Sequence, residues 1–256
     1  MAKKKKDISS ENLLQRQEFE KSFRDATEKY MPGVSVNIVV FNYRNGKLKI
    51  LIMHLAESQY SMLPGGYVMK EEDLDHSALR IFTEWTGLQD IQLEQFYTSG
   101  KADRTSDHLI RDVMKDAGNI ITDTWFDQRK ISVCYFALLH EYEIKPVKID
   151  FFVTEYQWMN MKDVPLLLFD HNYIISKAIQ KLQENLDRIM VAKPFFKEEF
   201  TMSELQKLYE VVFQKTFTRT NFQRRMLNLD ILERTGKQYN GKAHKAPYLY
   251  RFKTTG

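Results

Sequence analysis

Apolar positions along this chain switch between two spacings. Val34–Tyr43 and Lys47–Leu55 are dense in β-branched and aromatic side chains, with Asn45-Gly46 between them. That dipeptide takes positive φ at both positions cheaply, so the segment predicts a tight two-stranded hairpin. Pro64-Gly65-Gly66 predicts a turn, and Asp73–Thr86 has helical spacing that stops at Gly87. Ile91–Thr98, Lys130–His140 and Tyr156–Met159 are predicted as further strands. Ahead of the hairpin, Ser10–Tyr30 reads as a charged helix with Leu13, Leu14, Phe19 and Phe23 as its apolar positions, ended by Pro32-Gly33. Residues 1–9 are polar, lysine-rich and expected to be disordered. The polar stretch Ser99–Gln128 is long for a loop, so it is expected to hold a short helix around His108–Lys115 or a flap. Asp170 is expected to cap a helix running to about Ile189, and Lys193-Pro194 to mark a linker.

Beyond that linker the pattern changes. Thr201 and Glu204 form a Thr-x-x-Glu capping box, opening a helix that buries Leu205, Leu208, Tyr209, Val212 and Phe213. Thr220 and Gln223 repeat the device for a second helix with Phe222, Met226 and Leu229 inward. The 3.6 period then points Asn221, Arg224 and Asn228 outward, with Arg225 flanking. Arginine suits guanine and asparagine suits adenine in the major groove. Leu232–Gln238 and Ala246–Phe252 flank Asn240-Gly241, a second hairpin signal. Lys237, Lys242, His244 and Lys245 cluster at its tip. Helix, helix and basic hairpin predict a winged helix whose tip lies along phosphates or the minor groove.

Charge supports this division. From Arg219 to Gly256 nine basic residues face only Asp230 and Glu233, a local balance of +7 in a chain whose net charge is +4. The remainder is therefore slightly acidic, an asymmetry expected of a nucleic-acid reader. With 256 residues, 43% hydrophobic and 28% charged, the chain has room for two unequal domains. Cys134 is the one cysteine, which excludes an intramolecular disulfide and the common zinc modules. It sits in an apolar run and reads as a buried small hydrophobe. The lysine run Lys3–Lys6 has no apolar segment after it, and no stretch nears the roughly 20 apolar residues a membrane helix needs. A cytoplasmic location is expected.

Gly66 is followed by five residues and Glu72, then by seven and Arg80, with Phe82, Glu84, Gly87 and Leu88 at fixed offsets. This resembles the Nudix box, Gly-x5-Glu-x7-Arg-Glu-U-x-Glu-Glu-x-Gly-U with U a bulky aliphatic. The resemblance spans roughly residues 33–185 and implies an α/β/α sandwich. It also implies where the chemistry should lie, because three helix carboxylates hold the divalent metal of a pyrophosphatase. Here Ile81, Glu84 and Trp85 occupy those places. Leu74, Ala78, Ile81 and Trp85 instead make an apolar stripe, while Glu84 has Arg80 one turn away. The expectation is a non-enzyme that uses no metal or other cofactor. Its cleft candidates are His54, Tyr60, Ser61, Gly66, Arg80, Glu84 and, further along, His171. Each is explained more readily as an ordinary surface or loop residue than as a ligand contact.

Trp158, Pro165, Leu168 and Phe169-Asp170-His171 are similar to the closing segment of Nudix-related transcriptional regulators. Phe200–Phe252, with Leu205, Tyr209, Asn221-Phe222, Arg225 and Leu249-Tyr250-Arg251-Phe252, resembles the C-terminal part of such regulators of the NrtR and AraR type. The expected fold is α+β, a Nudix-type sandwich followed by a winged helix. The expected divisions are 1–30 (tail and helix), 31–190 (effector sensor) and 195–256 (DNA binding). The DNA contacts are assigned to Arg219, Thr220, Asn221, Arg224, Arg225, Asn228, Lys237, Lys242, His244 and Lys245. The resemblance implies a homodimer on a palindromic operator, with ADP-ribose or a pentose as effector. Loss of the metal ligands favours the pentose and genes of sugar use. The alternatives are a Nudix hydrolase of ADP-ribose or another nucleoside diphosphate derivative, an ADP-ribose-responsive regulator of NAD metabolism, and a non-enzymatic scaffold.

Overall fold

The computed structural model describes residues 26–55, 60–104, 129–140, 144, 153–188, 192–196, 198–238 and 246–253. A helical turn, Ala26–Lys29, leads into β1 (Tyr30–Arg44). The expected helix over 10–30 is therefore cut short at Lys29, and its first part lies outside the described residues. Pro32-Gly33 does not end a helix. It lies inside β1, where Gly33 takes φ 72° and pairing shifts register between Tyr30 and Ser35. Proline has no N–H to give a ladder, so a bulge is where a strand accepts it.

Strand β2 (Lys47–Leu55) has its expected bounds. The hairpin turn has Asn45 at φ 52° and Gly46 at φ 70°, the two positive values the tight turn requires. β3 (Ser61–Met62), β4 (Gly65–Met69), β5 (Leu93–Ser99), β6 (Ile131–His140) and β7 (Val153–Asn160) complete a seven-stranded sheet among the described residues. β1 and β6 run parallel at its centre, paired from Val34↔Ile131 to Tyr43↔His140. The other edge of β1 is shared by β4 along its first half and β2 along its second. β7 extends the expected Tyr156–Met159 strand and pairs with β2.

Alternation in these strands makes two apolar faces. Helix α1 (Leu74–Thr86) covers Val36, Ile38, Val40, Leu51, Val133 and Tyr135 with Ala78, Ile81 and Phe82. The stripe is rotated from its expected position, since Phe82 enters the core and Leu74 is 38% exposed. Thr86 also enters, and its hydroxyl donates to the Phe82 carbonyl at 2.7 Å. Helix α2 (His171–Asn185) covers the opposite face, setting Ile174, Ile175, Ala178 and Leu182 over Val39, Phe41, Ile50, Ile52 and Phe136. The result is the expected α/β/α sandwich. Cys134 is buried within it.

The C-terminal part is β8 (Phe200–Thr201), α3 (Met202–Phe213), α4 (Arg219–Asn228), β9 (Leu232–Lys237) and β10 (Tyr248–Phe252), with sheet order β8-β10-β9. The Thr201–Glu204 capping box is formed in both directions. The second expected box is not. Thr218 caps α4 without a side-chain bond, and Phe222 N–H donates to the Thr218 carbonyl at 2.9 Å, two residues ahead of the prediction. Phe217 fixes that start, because its N–H donates to Glu210 and its carbonyl accepts from Gln206. Lys193-Pro194 is no loose linker either. It opens a 3-10 turn, Lys193–Phe195, whose phenyl ring is fully buried against Tyr43. One apolar core thus runs from Phe41 and Ile50 to Leu205, Leu208, Tyr209 and Phe222.

Candidate effector cleft and DNA-reading surface

The box helix is held by its arginine. Arg80 Nε and Nη2 donate to both oxygens of Glu72 at 2.8 Å each, Nη2 also donates to the Tyr67 carbonyl at 3.0 Å, and Nη1 reaches Glu84 at 3.4 Å. The Arg80 hydrogen bond holds the Glu72 carboxyl below the usual carboxylate range, against a smaller opposing effect of burial. The two box glutamates that remain are therefore partners of an arginine, which ties α1 to the 67–72 loop. Ile81 is 1% exposed and packs onto Gly66, where an added Cβ would stand 3.0 Å from Ile81 Cδ1 and Cγ1. Gly66 is thus a seat for a side chain. The Trp85 indole N–H donates to the Gly65 carbonyl at 3.0 Å. Among the described residues no group of three or more His, Cys, Asp or Glu side chains is placed to hold a metal ion.

The other cleft candidates separate onto two faces. His54 alternates with Ile50 and Ile52, so it lies on the α2 side of the sheet. Its Nδ1 accepts from the Ser61 hydroxyl at 2.8 Å, and its Nε2 donates to Gln157 Oε1 at 3.2 Å. His54 and Ser61 consequently do not converge with Arg80 and Glu84. Tyr60 does lie on the α1 side, in a cluster with Met53, Leu55, Met62, Leu168, Phe169 and Trp85.

His171 is 2% exposed and sits within the core. Its Nδ1 accepts from the Leu63 N–H at 3.1 Å, and its Nε2 lies 3.2 Å from Asn37 Nδ2. Burial pushes its pKa down to about 3, so the ring is neutral. Asp170 does not cap α2 with its side chain. Its carboxylate instead takes Arg104 Nε at 3.1 and 3.2 Å, Arg104 Nη2 at 2.8 Å and the Ser99 hydroxyl. Arg104 Nη1 donates to the Lys130 carbonyl at 3.0 Å, so this buried pair ties α2 to the segments before and after the 105–128 stretch. Burial raises the Asp170 carboxyl, but Arg104 and Ser99 outweigh it and hold it below its ordinary range. Sequence reasoning missed Arg104, Ser99 and Asn37, because partners 66, 71 and 134 residues away leave no periodic signal. The expected helix at His108–Lys115 lies outside the described residues.

On α4, Phe222 and Met226 are buried, and Arg219, Thr220, Asn221, Arg224 and Asn228 are exposed. At about 100° per residue Arg224 lies opposite the buried pair, flanked by Thr220, Asn221 and Asn228. Arg224 Nη2 donates to Asn221 Oδ1 at 3.3 Å. Arg225, expected to flank the reading face, is exposed beside it, and its Nη2 donates to Asp187 at 2.7 Å. In the hairpin, Arg234 stacks over the Tyr248 ring and Lys237 lies 5.5 Å from that ring's centre. Lys242, His244, Lys245 and the Asn240-Gly241 turn lie outside the described residues.

Fold and site together define a class, a Nudix-type sandwich continued by a winged helix. Comparison with known proteins agrees. Residues 195–252 match the NrtR DNA-binding winged helix domain. The chain is 28% identical over 233 residues to the ADPR responsive transcriptional repressor NtrR of Acinetobacter baylyi, covering 86% of this chain and 82% of that protein. The crystal structure of Shewanella oneidensis NrtR superposes with a TM-score of 0.63 at 25% identity, covering 86% of this chain and 94% of that one. The same protein complexed with a 27mer DNA superposes with a TM-score of 0.61 at 25% identity, covering 86% and 93%. The chain is thus similar along most of its length to Nudix-related transcriptional regulators of the NrtR type, and residues 195–252 match their DNA-binding winged helix domain. No helix among the described residues is long and apolar enough to cross a membrane.

Proposed function

We propose that this protein is an ADP-ribose-responsive transcriptional repressor, with residues 31–190 as sensor and residues 195–256 as reader of operator DNA. The observation that carries the reading is α4. It presents Thr220, Asn221, Arg224 and Asn228 to solvent from a segment that matches the NrtR DNA-binding winged helix domain. In that setting Arg224 and the asparagines contact base edges, while Arg219, Lys237, Lys242, His244 and Lys245 contact phosphates. The relative from Acinetobacter is ADPR responsive and spans most of this chain, so the effector passes from the expected pentose to ADP-ribose. Nothing in these relationships supports a role in sugar use. Loss of metal ligands argues against hydrolysis, and binding of the intact molecule needs no metal. A homodimer on a palindrome suits a single winged helix per chain.

Sensor and reader share one apolar core, which gives the coupling a physical route. Fluorescence anisotropy on the duplex upstream of the protein's own gene tests the reading. ADP-ribose is expected to weaken binding by about 5–150-fold, and arabinose and xylose to leave it unchanged. A shift with a pentose and none with ADP-ribose would restore the sugar effector. Failure to prefer that duplex, or any other promoter fragment, over random DNA would remove the reader role.

A further inference from the structure

We propose that Asp187 is a positioning residue that sets the specificity of DNA reading by withholding Arg225 from the phosphate backbone. The inference rests on the DNA-binding role of the winged helix. Asp187 lies just past the end of α2, and each of its oxygens has a different partner. Oδ1 accepts from the Tyr209 hydroxyl at 2.9 Å, and Oδ2 accepts from Arg225 Nη2 at 2.7 Å. Tyr209 is fully buried on α3, and its ring packs edge-on against Phe222, the apolar anchor of α4, at 5.1 Å. Burial and the neighbouring Asp187 carboxylate push the Tyr209 hydroxyl upward, so it remains a donor. An ordinary surface ion pair is held loosely by two long side chains. Here one carboxylate oxygen is fixed by a buried phenol on the next helix, which aims the other at Arg225.

The consequence follows from the helix period. Arg225 is one residue, about 100°, from Arg224, at the margin of the outward face. Released from Asp187, it would join Arg219 and Arg224 as a further cation towards the backbone. Such a contact strengthens binding to every sequence alike and carries no base information. Held by Asp187, Arg225 leaves the preference set by Arg224 and the asparagines undiluted. Specificity is a difference of affinities, and weakening the competitor raises it as surely as strengthening the target.

The test measures affinity for a random-sequence duplex against salt concentration, so it needs no knowledge of the operator. Asp187→Asn keeps an acceptor for Tyr209 but loses the charge. Its log–log salt slope is expected to steepen by about 0.9, the release of one further phosphate's counterions. Arg225→Ala alone is expected to keep the wild-type slope, and Asp187→Asn with Arg225→Ala to return to it. Asp187→Asn with Arg225→Lys is expected to keep the steeper slope, which a merely structural role would not produce. An unchanged slope for Asp187→Asn overturns the proposal. So does a steep slope in the Asp187→Asn, Arg225→Ala double variant, since loss of a negative charge would then suffice. A shallower slope for Arg225→Ala also overturns it, because Arg225 would already be on phosphate. If any of these results appears while the wild type binds DNA, the reader role stands and only Asp187's part falls. A wild type that binds no duplex removes both.

Discussion

Protonation of His171 should make this protein lose stability in mild acid. The ring is 2% exposed and its pKa in the fold is about 3, while an unfolded histidine titrates near 6.5. A proton therefore binds the unfolded chain from about pH 6.5 downward and does not bind the folded one until near pH 3. The histidine's contribution is complete above the unfolded value and is lost progressively as pH falls towards the folded one. Between about pH 7.5 and about pH 5.5 only the unfolded titration enters, and integrating it gives a loss of about 1.4 kcal/mol. Urea unfolding at the two pH values, compared between wild type and His171→Gln, isolates the histidine from the other titrating groups. Glutamine keeps an acceptor for the Leu63 N–H but cannot titrate in this range. The variant should be weaker at both pH values and should lack the extra loss of about 1.4 kcal/mol. An equal acid loss in both proteins would show that His171 is not held neutral and would refute the reasoning.

Further outcomes follow from the same geometry. Asp170→Ala strands Arg104, whose side chain is 3% exposed, and should cost about 3–5 kcal/mol in denaturant unfolding, whereas Arg104→Met with Asp170→Leu should recover most of it; an Asp170→Ala cost under about 1 kcal/mol would mean that the pair holds nothing. With magnesium or manganese the protein should release no AMP from ADP-ribose, because Ile81 and Trp85 stand where carboxylates are needed; turnover in the ordinary range of about 1–1000 per second contradicts this. Arg224→Ala should cost about 1–3 kcal/mol on operator DNA and little on random DNA, while Lys242→Ala should weaken both and lower the salt slope by about one. Equal losses for Arg224→Ala on the two duplexes would put the reading face elsewhere on α4.

Local chemistry determined much of this protein from the sequence alone. Asn45-Gly46 specified its hairpin through two positive φ values, and Thr201 with Glu204 specified the start of α3 through two mutual hydrogen bonds. The spacing from Gly66 to Leu88 carried the fold and the apolar side of α1, because helical residues one turn apart share a face whatever surrounds them. What only the tertiary structure decided are the partners of charged and polar groups. Asp170 had a sufficient local use as a helix cap, yet a guanidinium 66 residues away binds it more strongly than a backbone N–H does. Arg225 had a use on the reading helix, yet Asp187, 38 residues away just past the end of α2, is hydrogen-bonded to it. His54 and Glu84 looked like neighbours in a cleft until the sheet set them on opposite faces. Pro32-Gly33 signalled a stop, but antiparallel pairing of β1 with β4 on both sides of it, at Tyr30 and again from Ser35, carried the strand through. Periodicity reports which way a side chain points relative to its own element. It carries no information about which distant element will be there to meet it.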